Sequence, residues 1–472
     1  MKNVVLWGFT FQDVRDIMEH LNNDVIYIKK WIINEDESRD NFFDNYAIEF
    51  ASGWHNKGFF SVGECPGKEI TDFIYDHMEL LMQNFARDDF VYRLPRYEYV
   101  NIINMLVNHY YNTLKNGIDM VVFEDIPHGG SGLVMYYVAK AMGIQTLLLV
   151  PIYDFEHFIY CYSIEDYGIF SDVPDYHEAV AEVRIEKGYR KELSYMTSQA
   201  IAKDLGKHSI SYYFQMVLSP KNFWQKKRIL LKEQKAKYLD VYEFVDKKIT
   251  KSIGKYFQRK RYEKDSKKTV TKIDFARKYV YFPLHLQPEM TTDVLGGEYS
   301  DQLLAIEKLR NMLPDDWFIY VKENPKQKEY MRGRYFFERL SLIPNTVFVD
   351  RSVDTYKLME SAQFVATITG TAAWEAITGG KNALLFGRIW FDHFPGIFRY
   401  DDQVNLHDIL SYRIDHSALE ERLNFLKKKM IKGIYRNDLL CLVDDFNRDK
   451  NYSALMKFFR YIFSKEGCSH VQ

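Results

Sequence analysis

Cysteine is scarce. Cys65, Cys161, Cys441 and Cys468 stand far apart, with no CxxC pair and no metal-ligand spacing. This excludes a disulfide framework and points to idle or buried thiols in a reducing compartment. A charge excess is also missing: 63 lysines and arginines face 65 aspartates and glutamates, a net charge of -2, which argues against a dedicated nucleic-acid binder. No apolar run approaches the ~20 residues a membrane span needs. The opening MKNVVLWGFTFQD turns polar and Gly-containing too soon for a signal peptide. The composition therefore predicts a soluble, cytoplasmic protein. HExxH, GxxxxGK[ST] and GxGxxG are absent, as is the Asp-x-Asp pair that can hold a divalent metal on a nucleotide diphosphate. These absences remove the metalloprotease, P-loop and dinucleotide readings and favour metal-free nucleotide handling.

What is present is ample core material: 472 residues, 47% hydrophobic and 16% aromatic, enough for two or three domains. Val4 to Phe9 and Asp24 to Trp31 read as buried strands flanking a helix that ends at Leu21. Met120 to Phe123, a helix from Ser131 to Met142 and the strand Gln145 to Val150 repeat the strand–helix–strand grammar of a parallel sheet. A second series begins near Tyr279, with strands at Val280–His285, Trp317–Lys322, Thr346–Val349 and Phe364–Ile368, and a further strand from Asn382 to Phe386. The predicted fold class is α/β, with two Rossmann-like domains facing across a cleft, a helical connector and a helical C-terminal tail. The predicted boundaries are 1–220 and 279–400 for the two domains, 221–278 for a basic connector and 401–472 for the tail. The connector, which carries QKKRILLKEQKAK and QRKRYEKD, is either a solvated spacer or a patch facing anionic lipid headgroups or an anionic acceptor.

Chemistry is expected where polar residues follow strands, because open parallel sheets bind ligands beyond their carboxyl ends. In the stretch FVATITGTAAWEAITGGKNALLFG, Thr369, Gly370 and Thr371 form a turn between a strand and a short helix closed by Gly379-Gly380. A helix start there offers N–H groups and a partial positive charge to a phosphate; the alternative is a plain helix cap. Glu375, one turn later, either reaches a ribose or faces solvent. Lys322, Asn324 and Pro325 end another strand, where Lys322 and Asn324 are candidates to contact a phosphate. His285 and Gln287 end a third, with His285 a candidate acid for a departing phosphate or simply structural. In the first domain Glu124, Asp125 and His128 share one strand-end loop. A carboxylate there can deprotonate an acceptor hydroxyl or attack a sugar carbon, with His128 assisting, or can merely cap a turn.

These same residues resemble those of the bacterial capsule polysaccharide biosynthesis family, whose best-understood members resemble Kdo transferases. The likeness runs from about Tyr279 to Gly387, through YFPLHLQPEMTT, YVKENPKQ and ITGTAAWEAITGGKNALLFG, with FEDIPHGG a weaker match. The resemblance implies a GT-B fold and a glycosyltransferase using a CMP-linked acidic sugar as donor substrate; together with the missing Asp-x-Asp pair this predicts a metal-independent enzyme with no cofactor. A capsule glycan or its lipid-linked precursor would be the acceptor. In the family a His-Pro pair and a Ser/Thr turn bind the CMP phosphate; these roles map onto Asn324-Pro325 and Thr369 to Thr371. Asn324 departs from the pattern, because an amide donates a hydrogen bond but delivers no proton. A nucleotide-sugar epimerase and a non-catalytic glycan-binding or export-coupling protein remain the alternatives.

Overall fold

The β-branched and leucine-rich runs of the sequence form two separate parallel sheets. In the computed structural model the described residues are 1–33, 41–51, 63–88, 95–152, 156–170, 173–176, 184–189, 251–266, 269–287, 289–327, 332–401, 403–440, 443 and 446–464. The chain divides into two units: Met1–Ala181 together with Phe425–Gln472, and Glu182–Asn424. Most of the basic connector, including Lys226-Lys227-Arg228, lies outside the described residues. Its end forms the helix Lys251–Asp265, which carries Arg259-Lys260-Arg261. Among the described residues no helix is long and apolar enough to cross a membrane.

In the first unit the strands are β1 (Lys2–Trp7), β2 (Ile26–Ile33), β3 (Ile48–Phe50), β4 (Met120–Phe123), β5 (Gln145–Ile152) and β6 (His157–Cys161). They lie in the order β6-β5-β4-β1-β2-β3, and the two-residue strand Ile431–Lys432 pairs outside β6. β1 to β5 are mutually parallel, whereas β6 runs antiparallel to β5. The order in which strands are added reverses between β1 and β4, so the switch point of this sheet lies beyond Trp7 and Phe123. The C-terminal helix Arg448–Phe463 belongs to this unit. Its Phe459 and Phe458 pack edge-on against Phe9 and Phe158, and Arg448 donates to Asp13 Oδ1 at 2.6 Å. The helical stretch after residue 401 is thus shared between the two units.

The second unit contains β7 (Tyr279–Pro283), β8 (Phe318–Lys322), β9 (Thr346–Val349), β10 (Val365–Thr367), β11 (Ala383–Leu385) and β12 (Ile397–Arg399). All are parallel, in the order β12-β11-β10-β7-β8-β9. Ranked by sequence within the unit this is 3-2-1-4-5-6, the strand order of a dinucleotide-binding Rossmann sheet, with its switch point between β7 and β10. Val280, Phe282, Ile319, Val321, Ala366 and Leu384 fill the sheet's core. Leu303, Ile306 and Leu309 of the helix Gln302–Met312 cover one face. Asp301 caps that helix through Leu303 and Leu304, and Asp354 caps Thr355–Ser361 through Tyr356 and Lys357. Both units are therefore Rossmann-like α/β folds.

Candidate functional site

The switch point of the second sheet is assembled from the ends of β7 and β10. His285, two residues beyond β7, is buried, and its Nε2 lies 2.7 Å from Thr367 Oγ1 and 3.3 Å from the Thr369 amide. An amide can only donate, so Nε2 accepts and the ring proton is assigned to Nδ1. Burial, reinforced by the charge of Arg332, pushes the imidazole pKa from 6.5 down to about 3. His285 is therefore neutral near pH 7, and its inner nitrogen holds the Thr369 turn in place.

Thr369 is buried and donates its hydroxyl to Thr291 O at 2.8 Å. Gly370 is the N-cap of the eight-residue helix Thr371–Thr378, with φ -76 and ψ 148. Any L-residue can adopt that backbone, so the glycine is required for space. A Cβ here would stand 3.0 Å from His285 Cε1, His285 Nε2 and Thr367 Oγ1. The imidazole is thus pressed against the turn where β10 becomes a helix. Thr371, the first helical residue, is exposed, whereas Glu375 one turn later is buried.

The polar groups after β7 and β8 are joined in a buried network. Gln287 Oε1 accepts from Gln302 Nε2 at 2.8 Å and from Arg332 Nη1 at 2.6 Å, while its Nε2 donates to Ser300 O at 2.6 Å. Gln327 pairs with the Gln287 backbone in both directions, at 2.8 and 2.9 Å. Arg332 also donates to His285 O at 3.0 Å and to Glu323 Oε2 at 3.2 Å, and Tyr262 donates to that same oxygen at 3.3 Å. A buried arginine and glutamate are tolerable only with such partners. The network's effect is to fix the segment 285–287, and with it the wall of the switch point.

Lys322 is likewise engaged: Nζ donates to Val353 O at 2.5 Å and to Thr355 Oγ1 at 2.6 Å. Burial pushes its pKa from 10.5 down to about 8, against the pull of Asp354 and Asp350. Asn324 is half-buried, and its Oδ1 accepts from the Lys326 amide at 2.9 Å, so Nδ2 is the end that can donate outward. Pro325, also half-buried, follows it in the turn. Pro288 lies outside the described residues.

In the first unit, Glu124, Asp125 and His128 do share the loop after β4. Glu124 Oε2 accepts from the Phe9 amide at 2.6 Å. Gly8 and Phe9, the residues after β1, sit at φ +86 and +63, and a Cβ on Gly8 would overlap the Glu124 carboxyl. Left-handed backbone at a phenylalanine is strained, and the Glu124 carboxylate is one of the contacts that hold it. Asp125 pairs with Arg436 and also accepts from the Ile126 amide at 2.8 Å. His128 Nδ1 lies 2.7 Å from Ile126 O, so it donates there.

Sequence reasoning missed Gln302, Gln327, Arg332, Thr367 and Arg436. Arg332 meets His285 across 47 positions and Arg436 meets Asp125 across 311, so no local spacing signals them. Among the described residues no group of three His, Cys, Asp or Glu side chains is gathered to hold a metal ion.

No curated protein sequence matches the chain. Among solved structures, UDP-GlcNAc 2-epimerase from Methanocaldococcus jannaschii is similar over 90% of this chain and 99% of its own, at 11% identity and a TM-score of 0.25. The beta Kdo 2,7 transferase of Thermosulfurimonas dismutans KpsC is similar over 74% and 89%, at 10% identity and a TM-score of 0.30. MurG from Acinetobacter baumannii is similar over 97% and 94%, at 11% identity and a TM-score of 0.20. Likenesses this distant bear on neither mechanism nor substrate. Residues 179–412 match the sequence profile described as Capsule polysaccharide biosynthesis protein. Over that region, which contains the whole second sheet, the chain belongs to the capsule polysaccharide biosynthesis protein family.

Proposed function

We propose that the protein is a glycosyltransferase moving an acidic sugar from a CMP-linked donor to a capsule glycan or its lipid-linked precursor. The observation that carries this reading is the Thr369-Gly370-Thr371 turn, which opens a helix at the switch point of a Rossmann-ordered sheet. Amides at a helix start and the helix dipole favour the phosphate of a bound nucleotide and the charge that grows on it as the sugar leaves. This electrostatic support needs no divalent metal.

Within this reading His285 is a positioning residue. It orients the Thr369 amide and, being neutral with Nε2 turned inward, is unsuited to protonate the leaving phosphate. Thr371 is the hydroxyl assigned to the phosphate, and Asn324 Nδ2 the amide donor. Lys322 holds the start of the helix Thr355–Ser361 and acts on the anion through its field alone. Glu375, buried one turn below Thr371, is assigned to the nucleoside side of the site. Asp125 is the assigned acceptor-side base, with His128 in the same loop; Glu124 is committed to the Phe9 amide. We place the reaction in the cytoplasm, at the inner face of the membrane where lipid-linked precursors reside.

The test is a CMP-release assay with a panel of CMP-activated acidic sugars, run with and without a capsule-type oligosaccharide. The expected result is CMP release that depends on acceptor and disappears in Asp125→Asn. Release of nucleotide or isomerised sugar without acceptor would mean an epimerase instead. No turnover of any donor, with glycan still bound, would mean a non-catalytic binding protein.

A further inference from the structure

The loop after β11 contains a charged cluster that the proposed reaction leaves unused. Between this loop, β12 and the helix His416–Lys429 lies a cavity of about 660 Å³, whose walls include His393, Phe394, Phe398, Tyr412, Glu421 and Arg422. The size falls within the ~300–1,000 Å³ typical of small-molecule sites. One wall is aromatic and fixed. Phe394 is buried with its ring 5.4 Å from Trp374, and Phe398 meets Tyr412 edge-on at 5.8 Å.

The other wall is charged in a particular balance. Arg422 and Glu421 are neighbours on one helix. His393 is held below its ordinary pKa by burial and by the charges of Arg422, Arg399 and Arg388, so it stays neutral near pH 7. Behind it the buried Asp392 carboxylate lies 3.3 Å from Arg399 Nη1, and neither of its oxygens accepts a hydrogen bond. Asp392 thus offsets part of the arginine field from inside. A guanidinium fork suits a carboxylate, and Glu421 accepts from hydroxyl groups while repelling a dianion. Flat aromatic faces suit the apolar side of a sugar ring.

We propose that this cavity is a binding site for an acidic saccharide, a pyranose whose carboxylate meets Arg422 and whose hydroxyls meet Glu421 and His393. The choice of an acidic sugar rests on the transferase reading above; the cavity and its charge balance do not. Two sources share this chemistry: the sugar of the donor and a residue of the acceptor glycan.

Isothermal titration of the full chain tests the proposal with glucuronic acid, glucose, inorganic phosphate and a glucuronate-containing oligosaccharide. Glucuronic acid should bind about tenfold or more tighter than glucose, as expected for one charge-assisted pair, and phosphate should not compete. Arg422→Gln should erase that preference. Tyr412→Ala, at a partly exposed rim position, should weaken both sugars together and serves if Arg422→Gln does not fold. Oligosaccharide binding tighter than the monosaccharide indicates the acceptor; equal binding indicates the donor sugar. The proposal is overturned if neither acid binds, if glucose binds equally, if phosphate competes, or if the folded variants bind unchanged. Stabilisation by CMP, measured on the same samples, reports separately on the Thr369–Thr371 turn. Its absence beside intact glucuronate binding would refute the nucleotide reading and leave this one standing.

Discussion

Acidification should strain the second unit through His285, and Asp392 should mask that strain. The His285 pKa falls from 6.5 in an unfolded chain to about 3 in the fold. Between those values the unfolded state binds the proton and the folded state does not, so stability rises with pH. At pH 5, ~1.5 units below 6.5, the penalty relative to pH 7.5 is ~2 kcal/mol. Asp392 has the opposite sign: burial raises its pKa from 3.8 to about 6, against Arg399 and Arg388. Its stability contribution falls as pH rises from 3.8 towards 6, so acidification from 7.5 to 5 returns on the order of 1 kcal/mol. The two contributions oppose each other, so Asp392 offsets part of the loss due to His285. Relative to wild type, Asp392→Asn should deepen the loss on acidification by on the order of 1 kcal/mol, and His285→Asn should lessen it by ~2 kcal/mol. Amide exchange of peptides covering 279–284 and 364–368 reads the opening free energy of this sheet, corrected for intrinsic rates at each pH. Other groups titrate in all three proteins and cancel in the comparison. If His285→Asn kept the wild-type pH dependence, the neutral buried imidazole, and with it the assigned tautomer, would be wrong.

Three substitutions probe the geometry. Gly370→Ala places a methyl 3.0 Å from the His285 ring and should cost ~1–3 kcal/mol by overpacking, seen as a lower melting temperature and weaker CMP binding. Arg332→Leu strands the buried Glu323 carboxylate and should cost ~3–5 kcal/mol in chemical denaturation, with part recovered by adding Glu323→Gln. Gly8→Ala, at φ +86 against the Glu124 carboxyl, should cost ~1–2 kcal/mol from backbone strain alone, with the clash added; a melting temperature equal to wild type would contradict the described turn.

Features written in contiguous residues were legible. The helix Thr371–Thr378 stops where Gly379-Gly380 marks its end, and β4 coincides with the unbroken apolar run Met120 to Phe123. The antiparallel strand β6 and the pairing of Ile431–Lys432 with it were not anticipated. A short apolar segment does not disclose its direction, and the partner strand lies some 270 residues away. The strand-end polar residues were located, but their engagement was not. The sequence leaves His285 as either an acid or a structural residue and Lys322 as a candidate phosphate contact; in the fold the bonds of His285, Gln287 and Lys322 run inward to Thr367, Arg332 and Thr355. Glu375 was read as facing either a ribose or solvent, and burial removes the solvent option. Such pairings depend on the folded sheet and leave no spacing in the sequence.

In the proposed reaction a cytidine nucleotide sits at the switch-point turn. A thermal-shift series with CMP, UMP, CDP, UDP and GDP tests it most directly, because ligand at a hundred times its dissociation constant stabilises a site by ~2.7 kcal/mol. The expected result is a concentration-dependent rise largest for CMP, diminished in Thr371→Ala and Glu375→Ala. No shift with any nucleotide, or a shift that both variants leave intact, would contradict it.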